Sequence, residues 1–219
     1  MLRWLGNTLS SSIGKKALMA LTGLLLVGFL FVHLAGNVLL YVGDEAFDGY
    51  VAQLKSYGPL LYVAEILLAL LFVAHITLGI RVSMENREAR GQGYVIRASR
   101  GKSTISSITM LFTGLFVLGY LIKHLIDFRF AGEAFDEAPA GLVRELLSQP
   151  LHALVYMAGV TALGFHLAHA FRSACQSLGV NHPKLTPLLE TASLVIAVGL
   201  WLGFISFPIY LWITGGGSN

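Results

Sequence analysis

Five long apolar runs, at about residues 16–41, 59–83, 104–128, 151–176 and 187–213, constrain this chain more than any other feature. Each can carry a helix across roughly 30 Å of hydrocarbon, a crossing that takes about 20 residues. Charged residues make up 12% of the 219 and hydrophobic residues 55%, with a mean hydropathy of +0.71. A soluble domain carries about 25% charged residues. The expected fold is therefore an all-α integral membrane protein of five transmembrane helices, forming one membrane domain over residues 1–219. Lys15 and Lys16 ahead of the first run imitate a secretory leader, but an apolar stretch reaching Tyr41 is too long for one and lacks a small-residue cleavage site. It reads as a retained span. The lone Cys175 excludes an intramolecular disulfide and a thiolate metal cluster.

Basic residues orient the spans, because lysine and arginine collect on cytoplasmic loops. Arg3, Lys15, Lys16, Arg81, Arg87, Arg90, Arg97, Arg100, Lys102, Arg172 and Lys184 fall on one side, eleven of the fifteen. Lys55, Lys123, Arg129 and Arg144 fall on the other, beside the acidic patches Asp44, Glu45, Asp48 and Glu133, Asp136, Glu137. This predicts a multi-pass protein of the cell membrane with a cytoplasmic N-terminus and an external C-terminus. Pro59 and Pro150 open the second and fourth spans, where a missing N–H costs least. The basic segment from Arg81 to Lys102 serves as a topology signal and equally as a docking surface for a cytoplasmic partner.

Histidine inside a span is costly and turns to the bundle interior, where it needs a partner. His33, His75, His124, His166 and His169 lie well inside spans, whereas His152 sits at the outer mouth of the fourth and His182 in a cytoplasmic loop. A repeat sorts them. Thr22-Gly23-Leu24, Gly28, Leu30, His33 and Leu34 recur as Thr113-Gly114-Leu115, Gly119, Leu121, His124 and Leu125, an offset of 91. Pro59, Leu60, His75 and Arg81 recur at the same offset as Pro150, Leu151, His166 and Arg172. The first and second spans thus form a unit whose copy is the third and fourth, both in one orientation, with the fifth span added. The offset also selects His166 over His169, whose counterpart is Leu78.

At about 1.5 Å of rise per residue, His75 and His166 each lie roughly 9 Å below the arginine at the cytoplasmic edge. His33 lies roughly 25 Å beyond Lys16, and His124 shares that level by the repeat. Two level pairs on four helices suit two stacked bis-histidine centres inside a four-helix bundle. Zinc would want further ligands that no cysteine or level carboxylate supplies. Haem needs two axial imidazoles and an apolar slot, which Gly23, Gly28, Gly36, Gly114, Gly119 and Gly164 would open to a flat macrocycle. Without a second cysteine the haem is held by coordination and packing alone. The alternative for a single histidine is an interhelical hydrogen bond. Filled axial positions imply electron transfer and not chemistry at the iron. Arg81 and Arg172 could pair with propionates of the inner haem, or serve simply as interfacial anchors. Glu65, about ten residues outward of His75, and His152 are candidates for quinone or proton contacts near the outer haem, and Glu65 could instead snorkel to the headgroups.

The ligand spacing, together with Ser12-Ile-Gly-Lys-Lys16-Ala-Leu-Met-Ala-Leu-Thr-Gly23, His33-Leu-Ala-Gly-Asn37, Glu85-Asn-Arg-Glu-Ala-Arg90 and His166-Leu-Ala-His169-Ala-Phe-Arg-Ser-Ala-Cys-Gln-Ser-Leu-Gly179, resembles the five-helix dihaem cytochrome b558 anchor of succinate:quinone oxidoreductases, fumarate reductases included. The family often has glycine where Ala170 stands, which bears on the packing around His169 and not on His166. The resemblance implies two haem b groups, held by His33 with His124 and by His75 with His166, and a quinone, menaquinone. It also implies a flavoprotein and an iron–sulfur subunit on the cytoplasmic side, with dicarboxylate chemistry confined to the flavoprotein. Membrane lipid is an expected partner and nucleic acid is not. A dihaem anchor of a hydrogenase or nitrate reductase shares the ligand pattern. A transporter with midplane histidines would need helices broken at the midplane, whereas Pro59, Pro150 and Pro187 sit at helix starts and Pro208 alone falls inside a span.

Overall fold

The computed structural model describes residues 10–88, 105–180 and 182–217. Arg3, Arg90, Arg97, Arg100 and Lys102, and with them most of the basic segment between the second and third spans, lie outside the described residues. The described chain is helical: α1 Ser12–Val42, α2 Asp44–Ser56, α3 Pro59–Glu88, α4 Ile105–His124, a π-helical turn Leu125–Arg129, α5 Glu133–Glu137, α6 Pro139–Ser148, α7 Pro150–Ser177 and α8 Thr186–Ile213. Five of these are long and apolar enough to cross a membrane, over Ser12–Val42, Pro59–Asn86, Met110–Arg129, Pro150–Ser177 and Thr186–Ile213. The five sequence-predicted spans are thus recovered, and the protein is an integral membrane helical bundle.

Local chemistry sets the helix ends. The Ser11 side chain accepts a hydrogen bond from the Gly14 N–H at 3.1 Å and satisfies one of the orphan amides that open α1. Gly43, at φ 143°, ends α1 and turns the chain directly into α2. Prolines begin α3, α6 and α7. Pro208 lies inside α8, which continues through it.

The spans pack in a definite order. α7 touches α1, α4 and α8, and α3 leans on α1, while α3 and α4 meet along a much thinner seam. Close approach depends on small residues. A Cβ at Gly159 of α7 would come within 2.3 Å of the Tyr120 ring on α4. Gly159→Ala is therefore expected to cost about 1–3 kcal/mol through overpacking, measurable as a lowered thermal midpoint in detergent. Gly164, expected to face a macrocycle, instead faces α8, where its Cβ would lie 3.1 Å from Trp201. The flat surface it leaves is used by an indole.

The outer connections contain helices. α2 buries Phe47 and Val51 on one face, and α6 buries Ala140, Val143 and Leu147. With Leu40, Tyr156, Phe207 and Leu211 they form one apolar cluster, a roof over the His33 end of the bundle. Two polar ties fasten it. Asp48 accepts from the Ala140 N–H at 2.8 Å, supplying the N-terminal cap that α6 lacks from its own sequence. Arg144, counted among the outer charges, is in fact 6% exposed. It pairs with Asp44 and donates to the carbonyls of Leu40 at 3.0 Å and Gly217 at 3.2 Å. One guanidinium thereby joins the end of α1, the start of α2 and the C-terminal tail.

Candidate functional site

A cavity of about 500 Å³ runs between α1, α3, α4 and α7 beneath the roof. Its walls are almost wholly apolar, and His33, His75, His124 and His166 all line it. Each predicted pair has met. The His33 and His124 rings are 5.7 Å apart between centroids, and those of His75 and His166 6.4 Å apart. Imidazole–metal bonds of about 2.0–2.1 Å put two rings bound across one ion roughly 6 Å apart, which both pairs match. In each pair the rings stand nearly perpendicular, at 88° and 86°.

The His75–His166 end shows the repeat in three dimensions. Thr22 Oγ1 lies 3.3 Å from His75 Nδ1, and Thr113 Oγ1 lies 3.3 Å from His166 Nδ1. Added Cβ atoms on Gly23 and Gly114 would sit 3.1 and 3.4 Å from the Cε1 atoms of the same two imidazoles. The helix backbones therefore approach the ring edges closely, more tightly at Gly23 than at Gly114. Gly36 also lines the cavity, but Tyr50 rests on it. Positions 28 and 119 are open, with nothing within 4 Å of an added Cβ.

The His33–His124 end departs from the repeat. Phe29 stacks on His33 with centroids 5.4 Å apart, and His124 is ringed by Tyr120, Phe128 and Tyr156. His124 Nδ1 is buried without a hydrogen-bond partner. In the π-helical turn just after it, Asp127 accepts from the Tyr156 hydroxyl at 2.7 Å and from Lys123 Nζ at 2.7 and 2.8 Å. Such turns often occur at functional sites. The sequence reading did not single out Asp127, because a carboxylate between Lys123 and Arg129 looks like one more interfacial charge. The offset of 91 pairs Tyr156 with Glu65, so one repeat bears a phenol where the other bears an acid.

The remaining predicted site residues lie away from the cavity wall. Glu65 is held by Arg129 in a two-pronged ion pair, Nε to Oε1 at 2.9 Å and Nη2 to Oε2 at 2.8 Å. Arg129 and Glu65 thus bridge α3 to the end of the third span. Arg172 pairs with Glu190 of α8 at 2.7 Å, and Arg81 is exposed. His152 and His169 belong to α7 but do not line the cavity.

Bundle and cavity define a class: helical membrane proteins with an apolar core cavity that carries a facing pair of histidines at each end. Residues 16–100 match the model of the succinate dehydrogenase/fumarate reductase transmembrane subunit. The succinate dehydrogenase cytochrome b558 subunit of Bacillus subtilis (strain 168) is 25% identical over 188 residues, which cover 84% of this chain and 90% of that subunit. No solved structure matches the chain. The chain is thus similar to membrane cytochrome b subunits of succinate dehydrogenase and fumarate reductase, and a cytochrome b carries haem b. The residues fit that group. Among the described residues no three or more His, Cys, Asp or Glu side chains converge to hold a bare metal ion, so each histidine pair lacks the extra ligands that zinc would want and retains the two that haem requires.

Proposed function

We propose that this chain is the dihaem electron-transfer anchor of a succinate:quinone oxidoreductase, passing electrons between a cytoplasmic iron–sulfur subunit and membrane quinone, with menaquinone as the quinone. His75 and His166 ligate the inner haem, and His33 and His124 the outer one. The carrying observation is the pair of facing histidines at each end of one apolar cavity. Haem supplies a one-electron couple between ferric and ferrous iron. The chain does the rest. Its facing imidazoles would hold the iron, its apolar walls would exclude water, and its roof would cover the His33 end. In this reading the N-terminus is cytoplasmic and the C-terminus external, an orientation that the distribution of lysine and arginine supports. Succinate and fumarate would be handled by a flavoprotein partner.

In this reading Arg81 and Arg172 flank the cytoplasmic rim and are candidates for propionate contacts, with Arg172 exchanging its bond to Glu190. Glu65 and His152 stand at the outer end as candidates for quinone or proton contacts, Glu65 already engaged by Arg129.

The test is a reduced-minus-oxidised spectrum of the purified protein, which should show b-type bands amounting to two haems per chain. A preparation that folds without haem would overturn the proposal.

A further inference from the structure

We infer that Thr22 and Thr113 are positioning residues that set the tautomer and the donor strength of the inner histidine pair, while His124 at the outer end has no such partner. This rests on the dihaem reading above. A threonine hydroxyl has one hydrogen. In Thr22 it is directed back along the helix, with Oγ1 at 2.9 Å from the Leu18 carbonyl and 3.0 Å from that of Met19. In Thr113 Oγ1 lies 3.1 Å from the Met110 carbonyl. With the proton committed there, what each hydroxyl offers to the imidazole is a lone pair, so Nδ1 carries the hydrogen. This contact selects the Nδ1–H form at both histidines. That tautomer leaves Nε2 with its lone pair free for a metal.

Position and chemistry come from one dipeptide. The threonine takes the Nδ1 proton, and the glycine after it lets the helix backbone lie against Cε1. Each Thr-Gly holds the histidine 53 residues further on, once in each repeat. An imidazole whose N–H is hydrogen-bonded is a stronger donor to its metal, so this arrangement favours the ferric state of the inner centre. At the outer end the buried Nδ1 of His124 has no acceptor. The two centres, alike in ligands, therefore differ in how firmly a ligand's far nitrogen is held.

The experiment is a redox titration of the membrane-bound protein in its native complex, following each haem separately by its spectrum. The variants are Thr22→Val, Thr113→Val, Thr22→Ser and Thr113→Ser. Valine keeps the shape and removes the acceptor, whereas serine keeps the acceptor. Each valine variant should shift the inner centre's equilibrium toward the ferrous state by about tenfold, equivalent to roughly 59 mV for one electron. The outer centre should stay at its wild-type potential, and the serine variants should match the wild type at both. Loss of the inner haem from the valine variants, with the serine variants at wild-type potential, supports the same conclusion. Valine variants with an unshifted inner potential overturn the inference alone, as do serine variants that behave like the valine ones. Absence of haem from the wild-type protein overturns the dihaem reading and this inference with it.

Discussion

On the dihaem reading, replacing His166 by alanine is expected to remove one of two b haems, halving the b-type absorbance and leaving the outer centre titratable at an unchanged potential. The reason is geometric. His166 faces His75 at 6.4 Å between ring centroids, and no third histidine lies between them on the cavity wall. His75→Ala should remove the same centre, and His33→Ala or His124→Ala the other. His169→Ala should retain both, because His169 does not line the cavity. Loss of haem from the His169 variant, with retention in the His166 variant, would reverse the assignment on α7. Haem content per chain, by extraction and spectrum, is the measurement.

The second large effect concerns a residue remote from the histidine pairs. Arg144→Met should destabilise the roof by about 3 kcal/mol, because a buried guanidinium with three partners is removed. For a chain of this size that corresponds to roughly 6–12 °C in the thermal midpoint. Arg144→Lys should recover little, since a single ammonium cannot reach Asp44, Leu40 and Gly217 in the same fork geometry. Asp44→Asn should cost less, about 1 kcal/mol or below, because the Asp44 side chain is 38% exposed and water replaces much of what it loses. Equal losses from Arg144→Met and Asp44→Asn would show that the guanidinium's two carbonyl contacts contribute nothing.

Much of the fold can be read directly from the sequence, because lipid imposes a length and a hydropathy that any window reveals. The facing of the histidines is legible for a different reason. A duplicated hairpin preserves register, so an offset of 91 carries three-dimensional information that a single span does not hold. The same offset ties Thr22 to Thr113, yet the role inferred for them emerges only when the distance to Nδ1 is known. What the sequence conceals are partnerships set by tertiary contact. Arg144 looks like an interfacial charge because its partners lie 73 to 104 residues away. The pairing of Arg172 with Glu190 is hidden in the same way. The roof helices are short and carry Asp44, Glu45 and Gly49 among their apolar positions, so their periodicity is masked by loop-like residues.

The thin seam between α3 and α4 bears on how such a protein is made. Each repeat is a hairpin that can enter the bilayer alone, and the joining contacts run mainly through α1 and α7. On the far side the hairpins are spanned at one end by Glu65 and Arg129 and otherwise held apart by the cavity. On the dihaem reading, a bound cofactor would act as mortar between the two halves. Because a group that binds the folded form draws the folding equilibrium toward it, cofactor supply would raise the share of assembled protein.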